Sequence, residues 1–199
     1  MSLSTVYSFL APLYRLFLGF PVLGLAKEQA AAVRFVKGRR ILEVGCGTGY
    51  LLSRIQSAER KVTGLDLSRG MLLEAAKRLR GTPHQVSLVQ ASYCDIPFAD
   101  SSFDCVLATF TLTHAPDLAP VAGEIARILA PGGRLVIVDV GPAHKPTVFS
   151  RILNDLWRIL GDHPRDEVPV LVEAGLEIRY RRELAKFGTV HILVARKPA

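Results

Sequence analysis

Three glycines at alternate positions, in Glu43-Val44-Gly45-Cys46-Gly47-Thr48-Gly49, have a spacing that could do chemistry. Glycines in series let the backbone pass close to a ligand with no Cβ in the way. A helix opening behind them would turn unpaired N–H groups and a partial positive charge toward an anionic group. Asp66 stands 21 residues after Gly45. A carboxylate there can accept two hydrogen bonds from adjacent ribose hydroxyls, and bonds to a charged acceptor are the stronger kind. The loop departs from the G-x-G-x-x-G dinucleotide pattern: its third glycine falls one residue early, and Tyr50 fills the place where close helix–strand packing wants glycine. That argues against a nicotinamide-dependent oxidoreductase. The five histidines, His84, His114, His144, His163 and His191, show no metal-ligand spacing, so no metal site is expected. His114 is the first candidate general base, because it follows an apolar strand on the side where parallel sheets hold ligands; His144 and Asp139 come next.

The elements that must position these residues alternate along the chain. Strands are expected at Arg40–Val44, Lys61–Leu65, Val86–Gln90, Phe103–Ala108 and Arg134–Val140. Helices are expected at Leu51–Ala58, at Gly70–Arg80 with Ser68 as N-cap and Gly81 as stop, and at Leu118–Leu129, ended by Pro131-Gly132-Gly133. Such alternation implies βαβ units and a parallel sheet. Leu176–Tyr180 and Val190–Ala195 have only a short connection and should pair antiparallel. Pro142–Gly175 between them and the fifth strand reads as helical and irregular. The composition, 49% hydrophobic and 22% charged, is that of one soluble globular domain and excludes a disordered chain. Three cysteines exclude a disulfide scaffold and fit free thiols in a reducing, cytoplasmic compartment. The net charge of +7 could attract nucleic acid, anionic membrane or acidic ligands without choosing among them. Phe9 to Ala26 is apolar apart from Arg15, but Pro12, Gly19, Pro21 and Gly24 interrupt it and no basic run precedes it. It reads as two short helices joined near Gly19-Phe20-Pro21, not as a signal peptide or membrane span.

Residues 39–140 resemble the class I S-adenosylmethionine (SAM) methyltransferase domain of the small-molecule type. Four ordered segments carry the resemblance: Ile41 to Gly49; Gly64-Leu65-Asp66-Leu67-Ser68 with Met71-Leu72; Asp95-Ile96-Pro97-Phe98 with Phe103-Asp104; and Arg127 to Leu135. It implies an α/β, Rossmann-like, seven-stranded and mostly parallel sheet with an antiparallel last strand and helices on both faces. Tyr7-Ser8-Phe9-Leu10-Ala11-Pro12-Leu13-Tyr14-Arg15 is similar to a segment of quinone-biosynthesis C-methyltransferases and bacterial phosphatidylethanolamine N-methyltransferases, although Ser8 and Arg15 stand where those carry Asp.

The resemblance also implies roles. Gly45, Cys46, Gly47 and Gly49 would cradle the methionine part of SAM, supported by Glu43, and Tyr14 would reach the cofactor carboxylate from a covering helix. Asp66 would hold the ribose, with Leu67 and Met71 beside the adenine. Ala91-Ser92-Tyr93 replaces the usual Gly-Asp-Ala, so Ser92 and Tyr93 would offer the adenine amino group a hydroxyl in place of a carboxylate. Thr109 and Phe110 would line the transfer site. The chain then divides into an N-terminal lid (1–36), a cofactor core (37–141), a substrate-side insertion (142–174) and a terminal strand pair (175–199). Apolar lids with few acids suit a quinone or phospholipid amine at an anionic membrane surface. No nucleic-acid substrate is expected, because Thr109-Phe110-Thr111-Leu112 lacks the Pro-Pro-aromatic signature of amino-methyltransferases. A SAM-binding protein without catalysis is the alternative.

Overall fold

The computed structural model describes residues 25–143, 146–159, 162–184 and 189–199. The expected N-terminal helices, Ser8, Tyr14, Arg15 and His144 lie outside them. Seven strands, β1 (Arg40–Val44), β2 (Lys61–Asp66), β3 (Val86–Gln90), β4 (Phe103–Thr109), β5 (Leu129–Val140), β6 (Glu177–Glu183) and β7 (Val190–Arg196), form one sheet in the order β3-β2-β1-β4-β5-β7-β6. The first five are parallel, and β7 runs antiparallel to both β5 and β6. The expected parallel sheet with a terminal antiparallel pair is therefore what forms.

Central strands buried on both faces have no polar face to show, which explains the continuous apolar runs of β1, β4 and the end of β5. Alternate residues feed two cores. Leu42, Val44, Val106, Ala108, Leu135 and Ile137 pack one side, with α4 (Ala119–Ile128) and α6 (Val168–Glu173). Ile41, Cys105, Leu107, Val136 and Val138 pack the other, with α2 (Leu52–Ile55), the 3-10 turn Ala31–Phe35 after α1 (Leu25–Ala30), and Trp157 of α5 (Val148–Ile159). α4 fits its place because Val121, Ala122, Ile125 and Ile128 fall on one helical face. α3 (Arg69–Leu79) begins as expected, with the Ser68 hydroxyl accepting the Met71 amide at 3.2 Å.

Two expectations change. The helix behind the glycine loop is one turn, Leu52–Ile55, not Leu51–Ala58, because Gln56 turns extended (ψ 143°) and leads the chain into β2. So short a helix has little dipole to offer a ligand. Pro131-Gly132-Gly133 does not separate helix from strand either. Strand geometry starts at Leu129, paired with Phe103, and the register shifts before Cys105 pairs with Arg134. The extra residues bulge out, and the Gly132 amide is satisfied by the Lys197 carbonyl at 3.0 Å.

Candidate active site

The C-terminal ends of β1, β2, β3 and β4 meet around a cavity of about 270 Å³. Its wall includes Gly45, Gly47, Leu65, Asp66, Leu67, Ser68, Met71, Ala91, Tyr93, Phe110, Thr111, His114 and Pro116. The loop after β1 closes one side. Gly45 has a φ of 65°, and a Cβ there would lie 2.3 Å from Thr111 Oγ1. Gly47 has a φ of 50°, and a Cβ there would meet nothing within 4 Å: its missing side chain faces open space. Asp66 joins the loop to β2. Its Oδ2 accepts the Gly47 amide and its Oδ1 the Ser68 amide, both at 2.8 Å. Burial pushes the Asp66 carboxyl up, while those two amides and the His114 charge hold it down.

Under the loop, Glu43 is fully buried. The Gln29 amide donates to Thr109 Oγ1 at 2.7 Å, and the Thr109 hydroxyl donates to Glu43 Oε1 at 3.2 Å. Oε2 makes no hydrogen bond among the described residues. Burial lifts the Glu43 carboxyl to about 8; the Thr109 hydroxyl and Leu52 amide lower it and the Asp66 charge raises it. Through Thr109 and Gln29 it ties α1 to the sheet.

The cavity wall also includes His114, in the 3-10 turn Leu112–His114 after β4. Its Nδ1 lies 2.8 Å from Asp162 Oδ1. Burial alone would lower the imidazole pKa, but the adjacent Asp162 carboxylate and the charges of Asp139 and Asp66 raise it above the ordinary value. The segment carrying Asp162 is pinned there: the His163 amide donates to the Thr113 carbonyl at 2.7 Å, and the Arg165 guanidinium binds the carbonyls of Ala115 and Pro116. A carboxylate orienting an imidazole at the wall of a ligand-sized cavity is a general-base geometry.

The sequence candidates divide by place. Gly45, Gly47, Asp66, Leu67, Met71, Tyr93, Phe110 and His114 line the cavity. Glu43, Cys46, Gly49, Thr109 and Ser92 do not. The Cys46 amide is spent on the Leu65 carbonyl at 3.0 Å, and its thiol is buried against Gly64. Gly49 packs on Ala75. The Ser92 hydroxyl accepts the Cys94 amide at 3.1 Å and so shapes its own turn. Asp139, a base candidate, is fully buried and lies outside the cavity wall. Leu65, Ser68, Ala91, Thr111 and Pro116 were missed. All follow or end strands, so the rule that such sheets bind ligands at their carboxyl ends was the signal available.

Residues 42–137 match the methyltransferase domain family. That segment belongs to the methyltransferase domain family. The demethylmenaquinone methyltransferase of Listeria welshimeri is 35% identical over 136 residues, 66% of this chain and 57% of that one. The O-methyltransferase rstn1 of Aspergillus nomiae is 37% identical over 141 residues, 68% of this chain and 62% of that one. The match thus spans less than two thirds of either relative's length. The crystal structure of the cyclase SpnF superposes with a TM-score of 0.82 at 21% identity, covering 98% of this chain and 95% of that one. The methyltransferase family is thereby matched in sequence over the residues that build the cavity, and the fold likeness extends over nearly the whole chain.

Proposed function

We propose that the protein transfers the methyl group of SAM to a small, apolar, quinone-like acceptor and releases S-adenosylhomocysteine. The observation that carries the reading is one cavity wall shared by two groups: the glycine loop bound to Asp66, and His114 beside Asp162. The residues fit the cofactor. The open side of Gly47 leaves room for its methionine part, and Asp66 stands where a ribose would bind. Leu67, more than half exposed although apolar, and Met71 offer the adenine a hydrophobic seat. Bound SAM supplies a methyl group already activated on a sulfonium, so the chain's task is alignment, worth ~7–11 kcal/mol in favourable cases. Phe110, Thr111 and His114 face the acceptor side. With Asp162 beside Nδ1, His114 would take the acceptor's proton at Nε2 as the acceptor receives the methyl group that bound SAM would supply.

The acceptor class rests on a relative named for demethylmenaquinone and on the exposed apolar side chains Val148, Phe149 and Ile152 of α5. The charge of +7 favours peripheral contact with anionic lipid. Among the described residues, no helix is long and apolar enough to cross a membrane. Calorimetric titration with SAM, S-adenosylhomocysteine and NAD, followed by labelled-methyl transfer to quinones, phenols and phosphatidylethanolamine, tests the proposal. Saturable binding of the first two with transfer to a quinone is expected. Binding of NAD alone, or transfer only to the amine, would overturn the cofactor or the acceptor respectively. A cyclase shares this fold, so turnover, not architecture, decides the reaction.

A further inference from the structure

The turn that brings Phe110 and His114 to the cavity is held by a carboxylate that does not itself reach the cavity wall. Phe110 has a φ of 50°. Left-handed backbone is costly for a residue with a Cβ, and such strain persists only where surrounding contacts over-determine it. The Phe110 amide donates to the Val138 carbonyl at 2.8 Å. Asp139 Oδ2 then accepts the next three amides, Thr111 at 3.1 Å, Leu112 at 2.8 Å and Thr113 at 3.3 Å. Oδ1 accepts the Thr113 hydroxyl at 3.0 Å and the Val140 amide at 2.9 Å. All five partners are donors, so the position demands a group that only accepts, and among side chains of this size that is an ionised aspartate.

We propose that Asp139 is a positioning residue for methyl transfer: it locks the 110–114 turn so that the Phe110 ring and the His114 imidazole stand at the acceptor. The inference rests on the reading of His114 as base. The charged groups facing His114 are Asp162 from the segment after α5, Asp139 from β5 and Asp66 from β2. Those facing Asp139 are His114, Glu167 at the start of α6, and His191 opposite it on β7, which is itself bound to Glu167. Removing the Asp139 charge removes one of the three anions that favour the His114 imidazolium.

Asp139→Asn keeps the size but turns a donor toward donors. It should lower kcat at least tenfold while calorimetric affinity for S-adenosylhomocysteine changes less than threefold. The His114 titration midpoint, followed by NMR on the ligand-free protein, should fall below that of wild type. Asp155→Asn, at an exposed carboxylate paired with Arg158, should leave it in place. Thr113→Val deletes only the hydroxyl bond and should lower kcat about two- to fivefold; it carries the test if the Asn variant fails to fold. An unmoved His114 midpoint in Asp139→Asn, or kcat and affinity falling in step, would overturn the proposal. Should the folded wild type bind cofactor yet methylate nothing, methyl transfer fails as a reading, while the imidazole titration still decides whether Asp139 holds His114.

Discussion

Gly45 and Gly47 are two residues apart and both left-handed, yet they serve different ends. Alanine at either costs about 1–2 kcal/mol of backbone strain. At Gly45 the new methyl also strikes Thr111, adding an overpacking cost of ~1–3 kcal/mol. Denaturant unfolding should therefore separate them, with Gly45→Ala the less stable. Gly47→Ala should keep its fold but lose SAM affinity, because its methyl enters the cavity. His114 carries the second prediction at this scale. Asp162 raises its pKa, and the base works only when neutral, so methyl transfer should climb with pH through a limb above the ordinary value of 6.5. In Asp162→Asn the limb should move down. A pH profile of kcat unchanged between the two proteins would remove His114 from the chemistry.

At the scale of elements, the segment after β3 is held by one arginine from α4. Arg127 binds Glu124 and Asp100 at 2.8 Å and donates to the carbonyls of Ile96 and Phe98. Glu124 in turn accepts the Ile96 amide. This clamp fixes the path of residues 91–100, and with it Tyr93 at the cavity wall. The arginine is partly exposed at the surface and its ion pairs are screened by water, so Arg127→Ala should cost only ~1 kcal/mol of global stability. Local opening should rise more: amide exchange at Ile96 and Phe98 should accelerate while that of β1 and β4 stays slow. Uniform acceleration across the sheet would show that the clamp belongs to the global fold and not to the loop.

For the whole molecule, the buried titratable groups share a sign. Glu43 is lifted to about 8 and Asp139 to about 6 by burial, and His114 and His191 are raised by their carboxylate partners. Each binds its proton more tightly folded than unfolded. For the two acids stability declines as pH rises from the ordinary carboxylate range through those values. For the histidines the contribution is complete below 6.5 and lost as pH passes the raised folded value. Asp104 and Glu124 are held low by Arg40 and Arg127 and act in the opposite direction only in acid. The melting temperature should be higher at pH 5.5 than at pH 8.5, measured at ~0.15 M salt so that the net positive charge is screened. About 1 kcal/mol corresponds to ~2–4 °C for a chain of this size. A higher melting point at pH 8.5 would show that self-repulsion of the positive chain outweighs the buried groups.

The sheet and its ligand-binding end are legible in the sequence alone. Strand positions, the Ser68 cap, the antiparallel terminal pair, the glycine loop and Asp66 follow from local patterns: periods of burial, cap chemistry, and glycine where no Cβ fits. Which candidates share the cavity depends on how the distant segments pack. Ser92 and Cys46 sit at the right places in the chain, but their polar groups are spent on the neighbouring Cys94 amide and on the Leu65 carbonyl. Asp139 looks like a base in sequence, yet five donors converge on it, four of them from Thr111, Leu112 and Thr113, 26 to 28 residues away. His114 is joined to Asp162 across 48 residues of chain. Such partners meet through the packing of β4, β5 and the segment after α5, and no local pattern encodes a contact between residues that only the sheet brings together.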